Sequence, residues 1–210
     1  MMNTTVLSTS EPVAIDKTLE LLRAGGVAAF PTDTVYGVGA DAFNESAILQ
    51  LFEAKGRDFN KAIAVLVGDL QQLELLTEGL PRSANILIER FWPGGLTVIV
   101  NKKAGLPPSL TPGSTVGVRM PNHPVAIELL RRFGPLATTS ANLSGGKNPQ
   151  TAADVLEQLD GRIPLLLDGG PCKGGVPSTI VDCTQEPVQI LRYGAIRESV
   201  IESALRRDKS

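Results

Sequence analysis

The stretch FPTDTVYGVGADA, from Phe30 to Ala42, decides how the rest of the chain is read. It leaves a short apolar strand, Val27 to Phe30, as a hydroxyl-rich loop punctuated by glycines. At the far end of the helix that follows stand Lys55, Gly56 and Arg57. Hydroxyls and backbone amides with two cations beside them suit an anionic ligand. Gly37 and Gly39 read as a tight turn into that helix.

Working outward, Ser10 and Pro12 open a helix whose Val13, Ile15, Leu19 and Leu22 keep a period of roughly 3.6 and which ends at Gly25 and Gly26. Asn44 caps the next helix, which carries Ile48, Leu51 and Phe52 and closes at Gly56. Ala62 to Val67 is a continuous apolar run, the mark of a strand buried on both faces. Helices are expected at Leu70 to Leu76, Pro81 to Phe91 and Pro124 to Phe133. Strands are expected at Leu96 to Val100, Val116 to Arg119 and Leu136 to Thr138. Lys102 to Thr115 is a long polar loop. Thr151 with Asp154 makes a capping box for a helix to Leu159. Strand-like pieces at Leu165 to Asp168, Thr179 to Asp182 and Val188 to Arg192 precede a helix over Arg197 to Arg207. This alternation predicts an α/β fold: a single-domain open mixed sheet flanked by helices, with polar loops at strand ends where such sheets place ligands.

The bulk figures agree. At 210 residues, with 42% hydrophobic and 20% charged, the chain suits one domain able to bury a sizeable core. Aromatic residues at 4% argue against a base-stacking platform. A net charge of −2 gives no overall basic footprint, so an anion site must come from local clustering. Cys172 and Cys183 form no CxxC pattern, and a reduced, cytoplasmic setting is the simplest expectation. The N-terminal MMNTTVLSTSEP lacks the pattern of a signal peptide, and no apolar run approaches the ~18–20 residues of a membrane span.

Several chemistries drop out. There is no GxxxxGK[ST] phosphate loop. Gly37 to Ala42 matches GxGxx[GA] and Asp69 follows the next strand. However, Pro31 to Tyr36 separate those glycines from the strand, unlike a dinucleotide site. His123 stands alone in a Pro-Asn-His-Pro turn and reads as surface or structural. The cysteines have no second histidine to activate them, and no zinc-ligand cluster appears. Asp33 and Asp41 could pair, although solvated loop acids are the simpler reading. Lys55, Arg57 and Lys61 by themselves could be helix-end dipole partners. Arg119 and Arg192 each end an apolar strand, where a charged side chain must find a partner or a ligand. With the polar turns Thr111 to Thr115, Thr138 to Asn142 and Pro177 to Thr179, they would form a pocket for phosphates and carboxylates.

Taken in order, PTDTVYGVG, Lys55-Gly56-Arg57, Ser140-Ala141-Asn142, STIVD and ILRYG resemble the YrdC-type threonylcarbamoyl-adenylate synthases, over about Val13 to Ile196. The resemblance implies an open twisted sheet with a concave ligand-binding face. It implies a catalytic domain over residues 10–196 and a short charged helix or tail over 197–210. The implied reaction makes threonylcarbamoyl-AMP and pyrophosphate from L-threonine, bicarbonate and ATP, a nucleotidyl transfer. The product passes to a separate transferase complex that modifies tRNA. Lys55, Arg57, Ser140 and Asn142 are the family's signature pairs and the implied catalytic set, with Lys55 and Asn142 ordering the site. Thr34, Arg119, Thr138 and Ser178 would hold threonine, Arg119 gripping its carboxylate. Arg57, Lys61, Thr115, Ser140, Asn148 and Arg192 would hold ATP. Mg2+ would arrive with ATP, with no metal ligated by the protein. Asp58 and Ala62 stand where the family often has proline, which touches local loop geometry only.

A monomer and a homodimer both remain open, as does direct contact with tRNA. The alternative is an RNA-binding module of the same fold without synthase activity, which the acidic net charge and the few aromatics disfavour. Other carbamoyl-transfer enzymes with related domains are longer fusions, and sister proteins without the signature pairs lack what Lys55, Arg57, Ser140 and Asn142 supply.

Overall fold

Apolar side chains alternate along most of the strands so that both faces of the sheet are buried, and what covers each face decides where a ligand can enter. A computed structural model describes residues 3–207. Its first half comprises β1 (Thr5–Ser8), α1 (Ala14–Arg23), β2 (Ala28–Phe30), β3 (Gly37–Asp41), α2 (Glu45–Lys55), β4 (Ala64–Leu66), α3 (Arg82–Phe91) and β5 (Leu96–Asn101). The second half comprises β6 (Thr115–Arg119), α4 (Pro124–Phe133), β7 (Leu136–Ser140), α5 (Ala152–Leu159), β8 (Leu165–Asp168), β9 (Thr179–Asp182), β10 (Gln189–Arg192) and α6 (Glu198–Arg207). The strands form one mixed sheet in the order β1-β8-β2-β3-β7-β4-β6-β5-β9-β10. Pairs β1/β8, β2/β8, β4/β6 and β5/β9 are parallel, and the remaining neighbours are antiparallel.

The two-residue period of a strand separates two cores. Val38, Val65, Val98, Val118 and Val181 point to one face and pack with Ile48, Leu51 and Phe52 of α2, Leu87 of α3 and Val155 of α5. Phe30, Leu66, Leu136, Leu165 and Leu167 point to the other and meet Leu19 of α1 and Leu129 of α4. Register continues that second face across the sheet, because Leu66 pairs with Arg119 and Thr97 with Ile180. There α1 and α4 no longer cover it, and polar residues take over from leucines.

Local signals place the helices. Asn44 caps α2 by accepting from the Ala47 amide at 3.1 Å. Gly56 closes α2 at φ 57°, a left-handed conformation that costs glycine little. Thr151 and Asp154 form the reciprocal capping box of α5.

Two expectations change. Gly37 and Gly39 do not form a turn into α2; they lie in β3, paired with β2 on one side and β7 on the other. Leu70 to Leu76 holds a short 3-10 turn, Gln71–Leu75, rather than an α-helix. Thr5–Ser8, ahead of the first helix, is an edge strand parallel to β8. At the other end Ile201 of α6 is 1% exposed within the main core. Met1, Met2 and residues 208–210, which the leader and tail expectations also covered, lie outside the described residues.

The β3 glycines are there because of Thr138 across the strand pair. A Cβ on Gly37 would lie 2.9 Å from Thr138 Cγ2, and one on Gly39 would lie 3.0 Å from Thr138 Oγ1 and 3.1 Å from Phe30 Cε1. Thr138 is pinned by its own hydroxyl, which donates to the Leu136 carbonyl at 3.0 Å. Gly37→Ala is therefore expected to destabilise the fold by about 1–3 kcal/mol, the usual scale of overpacking. A urea midpoint equal to that of wild type contradicts this account of β3.

Candidate functional site

Where the second face is left uncovered lies a cleft of about 240 Å³. Its floor is the same-face residues Ala64 and Leu66 of β4, Thr97 of β5, Thr138 of β7 and Ile180 of β9. Its walls carry three guanidinium groups, Arg57, Arg119 and Arg192, with hydroxyls of Thr32, Thr34, Ser140 and Ser178, and Asn148 at the side. No Asp or Glu lines it among the described residues.

The arginines are held by backbone and hydroxyl oxygens, with one carboxylate behind them. Arg119 is 6% exposed and donates from Nε to the Gly94 carbonyl at 2.9 Å, from Nη1 to Thr34 Oγ1 at 2.9 Å and from Nη2 to Asp33 Oδ1 at 2.5 Å. Arg192 donates from Nε and Nη2 to the Ser178 carbonyl at 3.0 and 2.9 Å, and from Nη2 to Ser178 Oγ at 3.0 Å. Ser178 Oγ lies 2.8 Å from Thr97 Oγ1. Arg57 donates from Nη2 to the Ala62 carbonyl at 3.0 Å, while its buried Nε has no hydrogen-bond partner. Burial lowers the proton affinity of all three guanidiniums, and Arg192 is lowered further by the charges of Arg119 and Arg57. Like charges this close call for an anion between them.

The two signature pairs divide their labour. Arg57 and Ser140 line the cleft; Lys55 and Asn142 do not. Lys55 is 2% exposed and donates from Nζ to the carbonyls of Ser140 and Asn142. Asn142 is 5% exposed and donates from Nδ2 to the Leu143 and Gly146 carbonyls at 2.7 and 2.9 Å. Both side chains are thus engaged with backbone carbonyls of the Ser140–Gly146 turn, and Lys55 leaves the solvated helix end that its position allows. The Gly56 cap makes the division possible. The amides of Gly56 and Arg57 turn back to the carbonyls of Glu53 and Phe52 at 3.1 and 3.0 Å, so that Lys55 points inward and Arg57 toward the cleft.

Burial, with Arg57 as the nearby like charge, lowers the Lys55 ammonium from 10.5 to about 7. The unfolded chain holds that proton up to the ordinary value, so between these limits it binds more protons than the folded one and stability rises with pH. From pH 7 to about pH 8, below the ordinary thiol range, the expected gain is on the order of 1 kcal/mol. Above that range the buried thiols oppose it, Cys183 being pushed up to about 12. Urea unfolding at the two pH values tests this, because Lys55→Met should abolish the rise.

Of the remaining sequence candidates, Thr34, Thr138, Ser178, Asn148 and Arg192 all line the cleft, while Lys61 and Thr115 do not. Lys61 is exposed, next to the lining residue Ala62. Thr115 begins β6, about 13 Å along the strand from Arg119. Asp33 is not a solvated acid but the partner of Arg119, and Asp41 caps its own turn by accepting from the Phe43 amide at 2.9 Å. Thr32 and Thr97 also line the cleft. The even spacing of Thr32 and Thr34, and the interruption of an apolar strand by Thr97, were the available signals. His123 sits at the start of α4 and lies outside the cleft lining. Cys172 and Cys183 are buried and unbridged. Among the described residues no three His, Cys, Asp or Glu side chains gather as a metal site, and no helix is long and apolar enough to cross a membrane.

Comparisons with known proteins complete the picture. The Sua5_yciO_yrdC family model, described as "Telomere recombination", matches residues 20–194. The chain is 46% identical over 202 residues to the threonylcarbamoyl-AMP synthase of Bacillus subtilis, covering 95% of this chain and 58% of that protein. It superposes on Pyrococcus abyssi Sua5 complexed with L-threonine with a TM-score of 0.92 at 38% identity, covering 96% of this chain and 61% of that one. Escherichia coli YciO follows with a TM-score of 0.80 at 25% identity, covering 92% of this chain and 96% of that one. The chain thus spans less than two thirds of the first two of these relatives. Shared motifs, sheet and sequence together place the chain in the Sua5/YciO/YrdC family.

Proposed function

We propose that the cleft makes threonylcarbamoyl-AMP from L-threonine, bicarbonate and ATP. The observation that carries this reading is the convergence of three guanidiniums and several hydroxyls on one cleft whose lining holds no carboxylate. The substrates are a carboxylate, a carbonate and a triphosphate, and guanidinium is the side chain suited to such oxyanions. The names of the relatives support the same choice.

In this reading threonine's carboxylate lies against Arg119, with Thr34, Thr138 and Ser178 around the amino acid. Arg57, Ser140, Asn148 and Arg192 take the nucleotide and its phosphates. Lys61, and Thr115 at the far end of β6, would join only from outside the present lining. The amine and bicarbonate combine to a carbamate with loss of water. A carbamate oxygen then forms a bond to the α-phosphorus as the bond to pyrophosphate breaks, a nucleotidyl transfer. No enzymic nucleophile is required; alignment and charge neutralisation do the work. Mg2+ belongs to the substrate here, carried on the triphosphate. The product would go to a separate transferase complex acting on tRNA, in a cytoplasmic setting.

Pyrophosphate release from ATP is the direct assay. Release should require L-threonine and bicarbonate together. Release that proceeds without threonine contradicts the substrate assignment.

A further inference from the structure

Arg119 is buried at the end of β6, where an unpaired guanidinium would be costly. Of its five N–H donors, three are engaged by Gly94, Thr34 and Asp33, which leaves two for a ligand. Asp33 is the carboxylate in that set. Its side chain is 18% exposed, and Oδ1 also accepts from the Asn122 amide at 3.0 Å, just ahead of α4. The backbone of the same turn is also closely packed. A Cβ on Gly174 would come 2.6 Å from the Asp33 carbonyl oxygen and 3.1 Å from Thr34 Cα. Asp33 is thus held both at its carboxylate and along its backbone, and it holds one edge of the guanidinium in turn.

The geometry points to Asp33 as a positioning residue for the amino-acid half of the reaction, acting through Arg119. It rests on the reading above, in which Arg119 takes the carboxylate of threonine. Three cations share the cleft, and a mobile Arg119 could turn toward the phosphates instead of the amino acid. Asp33 prevents this in two ways. It fixes one edge of the guanidinium, so that the two free N–H groups keep one direction. It also offsets the charge of Arg119 and leaves Arg57 and Arg192 as the stronger attractors of phosphate. Arg57 and Arg192 are held by carbonyls and a serine hydroxyl, so the loss of Asp33 should fall on threonine and spare ATP.

Steady-state kinetics of wild type, Asp33→Ala and Asp33→Asn, each with its melting curve, test this. Asp33→Ala should raise KM for threonine by at least about tenfold while KM for ATP stays within about twofold. Asp33→Asn keeps an oxygen that can accept from Arg119 and from the Asn122 amide, and should fall between wild type and Asp33→Ala. If Asp33→Ala does not fold, Asp33→Asn carries the test, with KM for threonine raised and KM for ATP unchanged. A threonine KM equal to wild type in the folded variants overturns the inference, and so does an equal rise in both KM values, which a merely structural role would produce. Wild-type protein that ignores threonine overturns the reading of the cleft and this inference with it.

Discussion

Arg57→Ala is expected to lose about 10²–10³-fold in pyrophosphate release, the usual effect of removing one donor to charge developing in a transition state. Its fold should be nearly untouched. Arg57 donates to one carbonyl, that of Ala62, and its buried Nε has no hydrogen-bond partner within the protein. A buried donor without a partner costs about 1–3 kcal/mol, which an incoming phosphate oxygen would relieve. Removing the side chain therefore costs little in the free protein and much in the complex. Thermal melts with pyrophosphate separate the two states. Wild type should gain stability from the anion, and Arg57→Ala should melt like wild type without it and gain less with it. Full activity in the variant contradicts the placement of Arg57 at the phosphates.

Lys55→Met is expected to lose activity on a similar scale, about 10²-fold, for a different reason. Lys55 does not line the cleft; it ties the carbonyls of Ser140 and Asn142 to the end of α2. Untying them frees the turn that carries Ser140, and a displacement of about 1 Å at a reacting group is enough for such a loss. Stability should change little. Two carbonyls lose a donor, about 1–3 kcal/mol each, while the cost of burying an ammonium disappears. Methionine fills nearly the same volume. The expected result is a cooperative melt within about 2 kcal/mol of wild type and a nearly inactive protein. An active Lys55→Met protein contradicts the bracing role.

The division between Arg57 and Lys55 marks the limit of what sequence alone makes legible. Both stand at the end of one helix, and that much follows from local chemistry: the Asn44 cap, the apolar face of α2 and the Gly56 stop. The capping box at Thr151 and the helix from Pro124 to Phe133 are local in the same sense. Which cation turns inward depends on the Ser140 and Asn142 carbonyls, some 85 positions away. Asp33 looked like a solvated loop acid for the same reason, since its partner Arg119 lies 86 residues on. The strand at Gly37–Asp41 was hidden by composition. Two glycines in five residues read as a turn, and their cause, the bulk of Thr138, lies on the neighbouring strand. Thr5–Ser8 is a strand because β8, about 160 residues later, offers it a parallel edge. The resemblance to the family supplied the cleft residues that spacing could not. Lys61 and Thr115 are the positions where that transfer and the cleft part company.

The central claim is that one cleft joins threonine, bicarbonate and ATP. Mass spectrometry of the product formed with isotope-labelled bicarbonate tests it most directly. The account predicts an adenylate that contains threonine and the labelled carbon, together with pyrophosphate. A product that lacks either the threonine or the label contradicts it.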